Sequence, residues 1–218
     1  MIYLDIETLD FFQDAHIKAL PRNQQLKAMR FGCAVTCTVS TDGAQLWREW
    51  TTDQIETLYF YLCYAKEPIA GWNSLAFDWP VILNSAERAG VQLLEIEHET
   101  VRHADLFDFI RQWTGRWYSL EVIAQHNLGR GKLADGQKAA EWLRSGDADL
   151  VAKALECCRY DVQLTMDLAA ILRSGEPLRL PPRAQRQEWN EVLIWNEGGT
   201  ERIPDASGAV STRQKRIQ

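Results

Sequence analysis

The chain has 218 residues, of which 46% are hydrophobic and 25% are charged, a composition typical of a globular protein. Its formal net charge of −6 argues against a broadly basic surface that coats nucleic acid, although a local basic groove is compatible with that charge. The N-terminus has no basic region followed by an apolar stretch, and no run of about 18 apolar residues occurs, so neither a signal peptide nor a membrane span is predicted.

The N-terminal quarter of the chain predicts three antiparallel strands. The apolar run 1–6 is typical of a buried strand, and the polar, mixed segment 9–29 indicates a loop or a short helix. The β-branched run 30–40 and the alternating run 44–51 flank a Thr-Asp-Gly turn, which predicts a hairpin. Together with the first strand, this hairpin begins an antiparallel sheet.

From residue 52 onward, helical and strand patterns alternate. Residues 52–67 open with a Thr-Asp pair that is typical of a helix cap and continue with helical spacing of apolar residues. Residues 68–72 indicate a short buried strand. Residues 77–90 predict a helix, and residues 103–107 predict another strand. Further segments share an amphipathic helical pattern: 106–113, 119–126, 137–144 and 147–172. This layout predicts an α/β fold, in which a mixed sheet of three antiparallel strands followed by parallel strands is flanked by helices.

The composition changes in the last fifth of the chain, so we predict a domain over 1–175 and a C-terminal extension over 176–218. Segment 174–183 is rich in proline and glycine and is interpreted as a linker. Segment 188–204 predicts a hairpin across the Glu-Gly-Gly turn at 197–199, and the polar last residues are expected to fray. A packed hairpin, a dimer contact and a partner-binding tail are all open interpretations of the extension.

The cysteine content predicts free thiols. An odd number of cysteines cannot pair completely, and the spacing of the first two lacks the second pair that a structural zinc site needs. We therefore expect buried thiols in a reducing cytoplasm. The cysteines are Cys33, Cys37, Cys63, Cys157 and Cys158.

Two carboxylates end the first predicted strand. Asp5 and Glu7 are two residues apart, and side chains at i and i+2 of a strand point to the same face. Two like charges so close together are unfavourable unless something neutralises them. Either the strand runs out into solvent at this point, or a cation lies beside Asp5 and Glu7.

Two further stretches bear on that choice. Asn73 is followed four residues later by Phe77 and Asp78, at a predicted junction between strand and helix. Asp161 lies in the middle of the predicted helix 147–172, among its apolar positions. A carboxylate on the apolar face of a helix is expected to face the protein interior, so we do not interpret Asp161 as a residue that only keeps the surface soluble.

The sequence over about residues 1–172 resembles the DEDD exonucleases, which are metal-dependent 3′–5′ exonucleases with a ribonuclease H-like fold. Three family motifs are matched in order. Asp-x-Glu-Thr is matched by Asp5, Glu7 and Thr8, Asn-x-x-x-Phe-Asp by Asn73, Phe77 and Asp78, and a late-helix aspartate followed by an aliphatic residue by Asp161 and Val162. Segment 131–146 is similar to a bacterial subgroup of such domains, some of which occur beside helicases.

The resemblance implies a ribonuclease H-like mixed sheet and a hydrolase that cuts phosphodiester bonds at single-stranded ends with two Mg²⁺ or Mn²⁺ ions. Asp5 would bridge both ions, Glu7 and Asp161 would hold the first, and Asp78 would serve the second. The chemistry of the residues agrees, because converging carboxylates repel one another and hard divalent cations prefer oxygen ligands.

On the substrate side, the resemblance implies that Asn73 and Phe77 position Asp78 and wall the cleft, and that Thr8 hydrogen-bonds near the scissile phosphate. The implied partners are a 3′ end of single-stranded DNA or RNA, with DNA favoured, and a helicase, whereas no membrane partner is expected. Basic charge and aromatic stacking usually grip single strands, and a solvated helix face with core tryptophans is the alternative. The residues open to both interpretations are Arg111, Trp113, Arg116, Trp117, Tyr118, Arg130, Lys132 and Lys138.

The family pattern breaks one turn before Asp161. Family members usually carry a tyrosine four residues before this aspartate, or a histidine five residues before it, and that group orients or deprotonates the attacking water. Here Cys157 and Glu156 stand at those positions. Tyr160 is one helical step from Asp161 and should point away. A thiol is a weak hydrogen-bond donor, and nearby carboxylates should raise its pKa.

Several alternatives follow for the missing group. The ions alone activate the water at a lower rate, or Glu156, His103 or His126 takes the role, although a structural role is the alternative for both histidines. A second function class is a noncutting module that binds nucleic acid for a partner such as a helicase. In a third, the carboxylates are structural, and divalent cations should then leave the thermal stability unchanged.

Overall fold

The computed structural model describes residues 1–94 and 102–181, together with the backbone of three short C-terminal strands. The strands are β1 (Ile2–Thr8), β2 (Phe31–Val39), β3 (Gln45–Thr51), β4 (Ile69–Gly71), β5 (His103–Asp105), β6 (Leu178–Arg179), β7 (Val192–Leu193), β8 (Glu201–Pro204) and β9 (Val210–Arg213). The helices are α1 (Ala15–Lys18), α2 (Arg22–Ala28), α3 (Ile55–Cys63), α4 (Asp78–Arg88), α5 (Leu106–Thr114), α6 (Leu120–Leu128), α7 (Gly136–Ser145) and α8 (Ala148–Arg173). None of these helices is long and apolar enough to cross a bilayer.

The central sheet has the strand order β3-β2-β1-β4-β5. β1 pairs antiparallel with β2, and β2 pairs antiparallel with β3. On the other side, β4 runs parallel to β1, and β5 runs parallel to β4. These pairings confirm the predicted α/β class, with three antiparallel strands followed by parallel strands and helices around the sheet.

The alternation of β1 divides its side chains between the two faces of the sheet. Ile2, Leu4 and Ile6 are buried in one apolar cluster with residues of α3 and α4. Tyr3 is buried on the opposite face, in a second cluster with the apolar side of α8. Because the two carboxylates of β1 share the face of Tyr3, the strand directs them toward α8.

A β-bulge lies at the end of β1, beside these carboxylates. The register with β2 shifts between Glu7 and Thr8, which leaves Gly32 as the extra residue on β2. A Cβ atom on Gly32 would lie 2.9 Å from the backbone oxygen of Glu7 and 2.6 Å from Leu143 Cδ1. Glycine at this position therefore allows the two backbones to approach where Glu7 is held.

The long helix α8 covers the second face of the sheet with one buried stripe. It is capped by Asp147, whose carboxylate accepts hydrogen bonds from the backbone N–H groups of Asp149 and Leu150. The stripe recurs at spacings of three and four residues and contains Ala154, Cys157, Cys158, Asp161, Val162, Thr165, Leu168, Ala169 and Leu172. Asp161 is thus packed against the sheet and is not exposed to solvent.

Caps explain why the boundaries of the later helices were predictable. Side chains that accept hydrogen bonds from the first turn precede α5, α6, α7 and α8. Glycines in the left-handed conformation follow α5, α6 and α7. As a result, the observed bounds lie within two residues of the predicted ones.

The five cysteines are all buried and free, which confirms the prediction of unpaired thiols. Cys158, on α8, donates to the carbonyl oxygen of Asp5 at 3.1 Å. This thiol thus acts as a short link between the helix and β1.

The described part of the predicted linker is packed against the domain. Leu178 and Leu180 are buried in the cluster beneath α8. The backbone N–H of Arg179 donates to Asn127 Oδ1 at 2.7 Å, and Asn127 Nδ2 donates to the carbonyl of Arg179 at 2.8 Å. β6 pairs with β7, and β8 pairs with β9. The turn of the predicted hairpin, 197–199, lies outside the described residues, and the domain boundary stays a prediction.

Candidate metal centre

Three carboxylates meet where β1 passes under α8. One oxygen each of Asp5, Glu7 and Asp161 lies within 4.8 Å of the others. Glu7 is 7% exposed and Asp161 is 1% exposed. The strand contributes two carboxylates to one face, and the buried stripe of α8 brings the third against them.

The electrostatics of this cluster favour a bound cation. Asp5 Oδ2 and Asp161 Oδ1 are buried and accept no hydrogen bond from the described residues. Burial and the neighbouring Asp161 raise the pKa of Asp5 to about 7, and burial and Asp5 raise the pKa of Glu7 well above its usual range. Buried carboxylate oxygens that lack donors are the ligands a hard divalent cation requires, so the residues present fit such an ion.

A fourth carboxylate, Asp78, faces the same cleft from the start of α4. Its Oδ1 accepts a hydrogen bond from the backbone N–H of Ile6 at 3.1 Å. Ile6 is the residue between Asp5 and Glu7, so this bond fixes Asp78 to the part of β1 that carries the other two carboxylates. Burial and the charge of Asp5 raise the pKa of Asp78 well above its usual range. The four carboxylates predicted from the sequence therefore lie together.

The loop before α4 is held by an aspartate that the sequence interpretation missed. Asn73 adopts a left-handed conformation, with φ of 63°, which asparagine tolerates better than most residues. The Asp105 carboxylate accepts from the backbone N–H groups of Asn73 (3.0 Å) and Leu75 (2.9 Å). Asp105 ends β5 and also caps α5. The only signal in the sequence for this role was that Asp105 ends β5, the strand that pairs with β4, after which the loop begins.

The Thr8 hydroxyl turns toward the following loop. It donates to the backbone oxygen of Asp10 at 2.6 Å, and Thr8 itself is buried. Thr8 lines the same cavity as Asp5. The contact predicted between Thr8 and a phosphate therefore stays a prediction.

Cys157 lies on the buried stripe of α8, one turn before Asp161. Burial, together with Glu7 and Asp161, raises the pKa of its thiol to about 11. The thiol is thus protonated at neutral pH, so it is no base for a water molecule. The position does belong to the neighbourhood of the carboxylates, as its spacing predicted.

The other candidates for the water-orienting role lie elsewhere. Glu156 and His126 are exposed on their helices, and Tyr160 stacks with Arg130, whose guanidinium carbon is 5.5 Å from the ring centroid. His103 is partly buried against Trp79 and its pKa is lowered by burial. None of these four lines the cavity that contains Asp5 in the described residues.

A cleft of about 360 Å³ opens over Asp5, Glu7 and Asp78. Aromatic rings form much of its wall: Phe11, Phe12, Trp72, Phe77, Phe107, Trp117 and Tyr118. Trp117 is 73% exposed and packs edge-on against Phe107, with ring centroids 5.1 Å apart. Phe77 contacts Phe12, with centroids 6.0 Å apart.

The predicted basic and aromatic residues divide into three groups. Trp117 and Tyr118 line the cleft, whereas Trp113 packs against the apolar core beside Phe109. Arg111 pairs with Asp108 at 2.6 Å. The remaining cations of the set have local partners of their own: Arg116 with the Tyr118 hydroxyl, Arg130 with Asp167, Lys138 with Glu141 and Lys132 with Asp161.

Lys132 enters the carboxylate cluster itself. Its Nζ lies 2.5 Å from Asp161 Oδ2, and its side chain also lines the cleft. Burial lowers the pKa of Lys132, but the charges of Asp161, Asp5 and Glu7 outweigh burial and raise it above its usual value. The sequence placed Lys132 only in a basic surface, and no local pattern distinguished it from its neighbours.

A second group of possible metal ligands, Asp10, Asp14 and His16, lies at the edge of the domain. Arg30 donates to the two carboxylate oxygens of Asp10 at 2.7 and 2.9 Å. Arg144 donates to Asp14 at 2.6 Å. Both acids have cationic partners and, unlike Asp5 and Asp161, neither has a buried oxygen without a hydrogen bond among the described residues, so this group is the weaker candidate for a metal site.

Comparison with known proteins identifies the superfamily of the chain. Among curated proteins, no sequence matches this chain. One solved structure of similar fold is E. coli exonuclease I in complex with a 5cy-dT13 oligonucleotide, with a TM-score of 0.43 and 12% identity. The match covers 79% of this chain and 40% of that one, so this chain spans less than half of that protein's length. The sequence model of the RNase H superfamily, RNase_H_2, matches residues 2–173, a range that contains all four carboxylates, and the chain therefore belongs to the ribonuclease H superfamily.

Proposed function

We propose that this protein is a divalent-metal-dependent 3′–5′ exonuclease, which hydrolyses phosphodiester bonds at single-stranded ends, with DNA as the expected substrate. One observation carries the proposal. Three carboxylates from β1 and α8 converge within 4.8 Å, and two of their buried oxygens accept no hydrogen bond from the described residues. Membership of the ribonuclease H superfamily and the order of the matched motifs support the same assignment.

Mg²⁺ or Mn²⁺ fits the donor set, because every ligand on offer is a carboxylate oxygen. Asp5, Glu7 and Asp161 would hold one ion, and Asp78 would serve a second together with Asp5. Bound divalent ions supply charge neutralisation and water activation for hydrolysis of a phosphodiester. The backbone N–H of Ile6 holds Asp78 in place for this role.

The aromatic wall of the cleft suits the bases of a single strand. Phe77 and Trp117 stand at the cavity that contains the carboxylates, and Trp117 exposes most of its ring. Stacking on such rings tolerates any base, as a nonspecific exonuclease requires. The exposed ring of Trp117 offers a stacking surface to an unpaired base, which favours single-stranded ends as the substrate.

The proposal is tested by the direction of degradation. The purified protein is incubated with single-stranded DNA labelled at its 5′ end, in Mg²⁺, Mn²⁺ or EDTA, and a second DNA carries a blocked 3′ end. We expect a ladder that shortens from the 3′ end with either metal, no cleavage in EDTA, and protection by the blocked end. Matched RNA and duplex substrates identify the preferred nucleic acid.

A noncutting module is the second candidate function, because the family's tyrosine is replaced by Cys157. That role would give retained binding in a gel-shift assay together with no product in either metal. Cleavage that begins at the 5′ end would contradict the proposed polarity. Cleavage in EDTA would contradict the proposed metal dependence.

Replacing Trp117 with alanine should weaken substrate binding and leave the chemical step almost unchanged. Stacking of a base on an aromatic ring contributes about 1–3 kcal/mol, so KM should rise by about tenfold or more. Tyr64→Ala is the matched control, because Tyr64 is 70% exposed and lies away from the cleft. Steady-state kinetics separate KM from kcat, and an unchanged KM would remove Trp117 from the substrate path.

A further inference from the structure

The segment between α6 and α7 is built to place Lys132 in the carboxylate cluster. The backbone N–H of Lys132 donates to the Glu121 carboxylate on α6. A Cβ atom on Gly131 would collide with that same carboxylate, so a larger residue there would displace the Glu121 side chain from this contact. One residue earlier, Arg130 pairs with Asp167 on α8. The segment is thus attached to α8 through Arg130 and to α6 through the backbone of Lys132, and these two contacts position the Lys132 side chain.

The ammonium group of Lys132 lies beside the carboxylates that would hold a metal ion. It lies 2.5 Å from Asp161 Oδ2, and its side chain is 29% exposed. Asp5 and Glu7 add their charges to the attraction. Lys132 is one cation beside three carboxylates, and Asp5 Oδ2 and Asp161 Oδ1 still accept no hydrogen bond from the described residues, so oxygen ligands remain for a divalent cation.

We propose that the ammonium group of Lys132 is the resident cation of the metal-free centre, and that it competes with divalent ions for the oxygens of Asp5, Glu7 and Asp161. The inference rests on the metal centre of the proposed function. An ammonium on a flexible four-carbon stem acts on the carboxylates as a point charge and can swing away, whereas a guanidinium would bind a carboxylate through two parallel hydrogen bonds. Lysine thereby keeps the metal-free fold intact, and it sets how much divalent ion is needed to load the site.

If Lys132 competes with divalent ions, removing its charge should raise the affinity for Mn²⁺ and lower the stability of the metal-free protein. In Lys132→Met, the dissociation constant for Mn²⁺ alone should fall by about tenfold or more, because a full positive charge leaves a poorly solvated cluster. In the absence of metal, the same variant should melt at a lower temperature than the native protein. Saturating Mn²⁺ should remove that difference, since the ion then neutralises the carboxylates in both proteins.

The experiment is isothermal titration with Mn²⁺ alone, in the absence of nucleic acid, on the full chain. Lys132→Gln is measured in parallel, because its amide can still donate to Asp161 if Lys132→Met does not fold. Lys153→Met is the matched control, because Lys153 is exposed on α8 and has the same charge and length. Thermal melts with and without Mn²⁺ accompany each titration.

Each outcome separates the inference from the proposed function. Tighter Mn²⁺ binding by both neutral variants at position 132, with no change in Lys153→Met, supports the competition even if no nuclease activity is found. Unchanged or weaker Mn²⁺ binding by these variants overturns the competition and leaves the proposed nuclease function standing. An absence of Mn²⁺ binding in the native protein and in both variants overturns the metal centre and the competition together.

Discussion

Replacing Asp5 with asparagine should abolish cleavage of single-stranded ends and, at the same time, stabilise the metal-free protein at pH 8. kcat/KM should fall by about a thousandfold or more, because the bridging carboxylate holds the ions on which the chemistry depends. The change removes one of three carboxylates that lie within 4.8 Å, and Asp5 Oδ2 has no hydrogen bond to lose among the described residues.

The gain in stability follows from the direction of the pKa shift. A pKa raised to about 7 means that the fold binds the Asp5 proton more tightly than the unfolded chain does. The stability from protonated Asp5 is therefore present at low pH and is lost as the pH rises through about 7. Asparagine stays neutral, so the free energy of unfolding at pH 8 should rise by up to about 4 kcal/mol.

Denaturant unfolding at pH 5 and pH 8, with and without Mg²⁺, measures this effect. The stabilisation by Mg²⁺ should be present in the native protein at pH 8 and lost in Asp5→Asn. Glu67→Gln is the control, because it removes an exposed carboxylate away from the cleft and should change neither stability nor cleavage. Cleavage at the native rate by Asp5→Asn would refute the role of Asp5.

The second large effect is expected from Cys157→Tyr, which should raise kcat by about tenfold or more. Cys157 precedes Asp161 by one turn on the buried stripe of α8. Its thiol, with a pKa raised to about 11, stays protonated and donates only weakly. A tyrosine at this position restores the hydroxyl that the resembling family uses to orient water.

Cys157→Phe separates the hydroxyl from the added ring. It has nearly the same bulk as tyrosine, so any disturbance of packing should appear in both variants, whereas the gain in kcat should appear only with tyrosine. Equal rates in the two variants would show that water orientation does not limit this protein. Thermal melts confirm that each variant retains the fold.

Much of the candidate site was predictable because its signals are local. The period of β1 places Asp5 and Glu7 on one face, and the apolar spacing of α8 places Asp161 toward the sheet. The junction before α4 carries Asp78 with its preceding loop. Each inference needs only one element and the rule that governs its side chains.

The parts that were missed depend on contacts between distant elements. Lys132 resembles any basic loop residue, and its place in the cluster is set by Glu121 and Asp161 on two different helices. Asp105 holds the loop before α4 through Asn73, which lies 32 residues earlier in the chain. Leu178 resembles part of a linker and becomes buried only because α8 offers it an apolar surface.

The most direct measurement of the central claim is an anomalous-difference map from crystals of the native protein that contain Mn²⁺, collected near the manganese absorption edge. The account predicts a peak in contact with the carboxylate oxygens of Asp5 and Asp161. A map without a peak at these residues, or with manganese only at Asp10 and Asp14, would contradict the assignment of the carboxylate cluster as the metal centre.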